Sequence, residues 1–97
     1  MFTVYKYEVP ITSDSRVELP SNSWVLRMGE QNGKLIMWCV VDTSSEKQIL
    51  RLVVRGTGHE FDGHEGEYVA TVQMADGLVW HVFRWVEKPE PKDDTKG

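Results

Sequence analysis

The chain has 97 residues, a formal net charge of −4 and a sequence pI of about 5.3. That length makes one domain with one core, too small for a deep cleft between domains, so a binding module is expected before an elaborate enzyme. The acidic balance excludes the basic footprint of a general nucleic-acid binder. No run reaches the roughly 20 apolar residues needed to cross a bilayer as a helix.

The chain opens directly into strand-like alternation over Phe2–Val9, without the charged and then apolar pattern of an export leader. Pro10 ends this segment, and a short second one, Arg16–Leu19, ends at Pro20. Trp24–Gln31 and Lys34–Asp42 flank Asn32-Gly33, a pair that tolerates positive φ and predicts a two-residue type I′ hairpin. Gln48–Arg55 makes a fifth strand. A polar connection leads to Tyr68–Met74, which Asp76-Gly77 turns into Leu78–Glu87 as a second hairpin. The expectation is an all-β domain over residues 1–87, a small antiparallel barrel or sandwich of about seven strands. Residues 88–97, with two prolines, six charges and no large apolar group, read as a disordered tail.

Side-chain alternation assigns the faces. Trp24, Leu26 and Met28 are expected inward, with Arg27 and Gln31 outward. Leu50, Leu52 and Val54 face in, leaving Arg51 and Arg55 out; Tyr68, Ala70, Val72 and Met74 make a third inward row. Leu35–Val41 is apolar on both parities. It contains the only cysteine, Cys39, read as a buried thiol, and the lack of a pairing partner fits a reducing cytoplasm. Leu78–Val86 is nearly apolar on both parities too, with Leu78, Trp80, Val82 and Arg84 in one row and Val79, His81, Phe83 and Trp85 in the other. The spare row is covered by a second layer of the domain or by another chain. Trp80, His81, Phe83 and Trp85 are therefore the candidate interface, with a homodimer the commonest arrangement.

The candidate site lies in "RGTGHEFDGHEGEY", Arg55 to Tyr68. Successive glycine-rich amides can turn toward one point and hold an anion. Arg51, Arg55, Gly56, Thr57, Gly58 and His59 thus form a possible phosphate or nucleotide site. The alternative is a flexible turn. The stretch lacks the Gly-Lys-Ser/Thr ending of a P-loop. His59, Asp62, His64 and Glu65 are metal-ligand types, but their spacing matches no helix-borne zinc pair, and a solvated acidic loop over Asp62–Glu67 explains them at least as well. No nucleophile sits in an activating context, so no catalytic residue or cofactor is assigned.

"YKYEVPI", "QNGKLIMWCVVD", "RGTGHEF" and "GEYVATVQM…LVWHVF" together resemble a family of short proteins encoded by bacteriophages and prophages, over roughly residues 5 to 83. The resemblance implies a phage product acting in the host bacterial cytoplasm. Three functions follow: an inhibitor that binds a host protein, including one of an anti-phage defence system; a sponge that sequesters a phosphorylated nucleotide signal; or a virion or assembly component.

Overall fold

The computed structural model describes residues 1–61 and 66–85. Seven strands lie in this range: β1 (Phe2–Glu8), β2 (Ser15–Pro20), β3 (Ser23–Gln31), β4 (Lys34–Asp42), β5 (Lys47–Gly56), β6 (Glu67–Gln73) and β7 (Val79–Arg84). They form two antiparallel sheets, sheet A in the order β1-β4-β3 and sheet B in the order β2-β5-β7-β6. The sheets pack as a sandwich, without closing into a barrel. The expected tail falls outside the described residues.

The two hairpins differ in kind. Asn32 and Gly33 both have positive φ, 54° and 78°, as a type I′ turn requires, and Gln31 pairs with Lys34 directly across it. At the second hairpin only Gly77 is left-handed, with φ 92°. There Gly77 N–H donates to Met74 O at 3.0 Å and Met74 N–H to Leu78 O at 2.8 Å, which closes a three-residue loop instead of a two-residue one. Asp76 shapes it by accepting from Leu78 N–H at 2.9 Å.

β4 explains its two-sided apolar sequence by lying at the centre of sheet A. Leu35, Met37, Cys39 and Val41 face sheet B and are at most 1% exposed, while Ile36, Trp38 and Val40 occupy the outer face. Leu52, Val54, Val72 and Val82 close the core from sheet B, joined by Val17 and Leu19 of β2. Burial pushes the Cys39 thiol up to about 11. The crossing from β1 to β2 is pinned by Ser15, 1% exposed, whose hydroxyl bonds Pro10 O and lies 2.9 Å from Thr12 Oγ1.

Two β-bulges overturn parts of the expected face assignment. In β3 the register runs Val25↔Cys39 and then Arg27↔Trp38, so Leu26 is an extra residue and the parity changes across it. Trp24 and Leu26, expected inward, are 53% and 54% exposed, whereas Met28 beyond the bulge is buried at 6%. In β6 the register runs Tyr68↔Phe83 and then Ala70↔Val82, making Val69 the extra residue. Tyr68, also expected inward, therefore stands on the outer face and is 63% exposed.

Candidate functional site

The outer face of sheet B carries most of the residues singled out in the sequence. Arg51, Val53 and Arg55 of β5 stand in one row, and the pairings Val53↔Phe83 and Arg55↔His81 set β7 beside it. Arg51 grips Asp14 with two hydrogen bonds, Nε to Oδ1 at 3.2 Å and a terminal nitrogen to Oδ2 at 3.3 Å. Its guanidinium also lies 4.2 Å from the centroid of the Trp85 ring, a cation–π contact. The hydrogen bonds from Arg51, and then one from Arg16, hold the Asp14 carboxyl below its ordinary value. Arg51 and Arg55 share a face as expected, but four residues of extended chain separate them by roughly 13 Å. The charge of Arg51 is thus matched by Asp14 at the far end of the row from the glycine loop.

His81 sits at the centre of a side-chain ladder that crosses three elements. Its Nε2 is 2.7 Å from Thr57 Oγ1 and its Nδ1 is 3.0 Å from Thr71 Oγ1, which in turn lies 2.9 Å from the Tyr68 hydroxyl. The β6–β7 register places Thr71 directly opposite His81, so the ladder follows from strand pairing. A neutral imidazole donates at one nitrogen and accepts at the other, and two flanking hydroxyls satisfy both. Phe83 is flanked by Phe61 and Tyr68, with ring centroids 5.8 Å and 6.0 Å away. His81 and Phe83 are consequently half-buried by their own chain, and Trp80 packs partly buried against the core on the opposite row. Trp85 remains 38% exposed.

In the glycine loop, the amides of Gly56, Thr57 and His59 have partners within the chain. Gly56 N–H donates to His59 Nδ1 at 3.2 Å, Thr57 N–H to Val79 O at 3.2 Å, and His59 N–H to Gly56 O at 3.0 Å. Gly58 supplies the positive φ, 89°, that brings His59 back. Gly56 has a steric role: a Cβ there would meet the His59 ring at 2.7 Å. The imidazole lies against this bare backbone, 6.1 Å from the Trp80 ring. The structure therefore brings Gly56, Thr57 and His59 together with Trp80 and His81, and leaves Arg51 apart. Asp62, His64 and Glu65 fall outside the described residues.

A second surface was missed by reading alternation alone. The register pairs Phe2, Val4, Lys6 and Glu8 of β1 with Asp42, Val40, Trp38 and Ile36, and Trp24 with Val40, all on the outer face of sheet A. Phe2, Val4, Trp24 and Leu26 are each 51–54% exposed. Phe2 and Trp24 meet across β4 with ring centroids 5.8 Å apart. The Trp38 ring lies beside Gly29, at ordinary contact distance, 3.5 Å, from where a Cβ would stand. Beside it, Val4, Leu26, Arg27 and Trp38 line an open depression of about 450 Å³. The two-sided apolar run of β4 was the signal for this face; the Leu26 bulge concealed its extent by inverting Trp24.

Among the described residues no helix is long and apolar enough to cross a membrane. No curated protein and no solved structure matches the chain. One family does match, a domain of unknown function designated DUF7352, over residues 1–93. The chain belongs to the DUF7352 family.

Proposed function

We propose that this chain is a bacteriophage or prophage product that inhibits a host bacterial protein, one of a defence system included, by docking on it in the cytoplasm. The observation that carries the reading is the outer face of sheet A, where Phe2, Val4, Trp24 and Leu26 stand about half exposed beside Trp38 and Val40. The charged groups lie at the edges of this face: Lys6 Nζ donates to Gln31 Oε1 at 2.6 Å, Lys34 lies 3.4 Å from Glu8, and Arg27 stands exposed on the edge strand β3. An aromatic and aliphatic centre with a polar and charged rim is the anatomy of a protein–protein interface. The occupant is accordingly a folded protein with an apolar patch, and the likeness of the sequence to phage-encoded families supports a host protein as that occupant.

Capture from bacterial lysate on the immobilised full chain tests the reading. One dominant protein should be retained with saturable stoichiometry, lost with Trp24→Glu or Leu26→Glu and kept with Arg51→Ala. Retention of the same protein by both face variants would overturn the proposal. So would a purified chain that retains no protein and instead carries an ultraviolet-absorbing nucleotide.

A further inference from the structure

Among the described residues the two sheets have four outermost strands, and three of them are guarded. β3 and β6 each carry a bulge, at Leu26 and Val69, which breaks the straight row of backbone groups that another strand would need. β2 spans six residues, includes the charged Arg16 and Glu18, and ends in Pro20. β1 has neither a bulge nor a proline: its seven residues pair with β4 without a shift and are exposed throughout except at Tyr7.

The hydrogen bonds show which groups of β1 are open. Thr43 N–H donates to Met1 O at 3.0 Å and Val9 N–H to Leu35 O at 2.8 Å, both in register with the β1–β4 pairing. Odd-numbered residues of β1 therefore exchange hydrogen bonds with β4. The backbone N–H and C=O of Phe2, Val4, Lys6 and Glu8 point the other way, to the open edge. The two charged side chains that could guard it lean back over their own sheet, Lys6 to Gln31 and Glu8 to Lys34. What faces outward is an uninterrupted strand whose two charges cancel.

We propose that β1 is a self-association edge, which pairs antiparallel with β1 of a second copy to form one six-stranded sheet. The register that uses all seven residues places Tyr5 on the twofold axis. It sets Val4 opposite Lys6 of the second copy and Phe2 opposite Glu8, and brings no like charges directly face to face. Shifting the axis to Lys6 would oppose two ammonium groups. A second copy fits this edge because it supplies both the missing backbone partners and a charge-compatible row. The pairing leaves the outer face of sheet A open, so its test is independent of the proposed inhibitor role.

Sedimentation velocity and amide hydrogen exchange on the full chain test this. The wild type should dimerise as concentration rises from about 1 to 100 µM, and the Val4 and Lys6 amides should slow by at least about tenfold on association. The Tyr5 and Tyr7 amides, already bonded to β4, should change far less. Val4→Pro removes an outward donor without taking a bond from the β1–β4 ladder, and should give a folded monomer. Val4→Lys spares the backbone, sets two ammonium groups opposite each other, and should also give a monomer. Trp24→Glu should still dimerise. A wild type that stays monomeric at 100 µM, a dimer that survives both Val4 variants, or one abolished by Trp24→Glu would overturn the proposal.

Discussion

Deleting Leu26 should leave the domain folded, whereas deleting Trp38 from the neighbouring strand should unfold it. Val25 already pairs with Cys39 and Arg27 with Trp38, so removing the residue between them yields a continuous antiparallel ladder with every other side chain on its present face. Leu26 is 54% exposed, and its loss should cost about 1 kcal/mol, roughly half the value of burying a leucine completely. β4 offers no such slack, because it is paired on both sides. Without Trp38, either Leu35 and Met37 or Cys39 and Val41 must turn to the outer face, and all four are at most 1% exposed. Exposing two fully buried side chains costs about 3–6 kcal/mol before any loss of ladder bonds, against a typical total of about 5–15 kcal/mol. Urea titrations followed by far-ultraviolet circular dichroism should show a cooperative transition for the Leu26 deletion and none for the Trp38 deletion. A Leu26 deletion costing more than about 3 kcal/mol, or a Trp38 deletion with the wild-type midpoint, would refute the register argument.

Two further outcomes follow from the chemistry of single groups. Cys39 is fully buried with its thiol pushed up to about 11, so at pH 8 a thiol reagent should label the native chain at least about a hundredfold more slowly than the urea-unfolded chain; equal rates would show that the core opens freely at β4. The Asp42 carboxyl is held below its ordinary value by the hydroxyl and amide of Ser44, at 2.6 and 3.0 Å, and Asp14 is held below by Arg51 and Arg16. Folded-state values below the unfolded ones mean that this stability is fully present above about pH 4 and lost as pH falls through the folded values. The urea midpoint should drop on acidification, less steeply in Asp42→Asn; an Asp42→Asn curve parallel to the wild type would remove Asp42 as a contributor.

The parts of the fold readable from the sequence are those set by local chemistry. Asn32-Gly33 announces its hairpin because few residue pairs accept φ values of 54° and 78° in succession. The central position of β4 shows in the apolar residues on both its parities, and the burial of Leu52 and Val54 in their alternation. The sandwich itself depends on pairings between distant segments, β1 with β4 and β2 with β5, for which no local signal exists. Arg51 looked available because it stands outward on its strand; only the fold brings Asp14 across to it.

The bulges were hidden for a further reason. A bulge is defined by two residues of one strand opposing a single residue of its partner, and both extra residues here, Leu26 and Val69, are apolar ones that regular alternation accommodates equally well. Their positions also connect the errors of face assignment to the edges of the sheets. β3 and β6 are outermost strands that face one another across an open groove of about 530 Å³ lined by Leu26, Arg27, Tyr68 and Val69. Extra residues there interrupt the very rows of backbone groups that would recruit another strand. The same irregularities that turn Trp24 and Tyr68 outward thus close two edges to pairing and leave β1 as the straight edge without a proline. Surface chemistry and the choice of edge follow from one structural device, so deleting Leu26 should also make the β3 edge competent to pair.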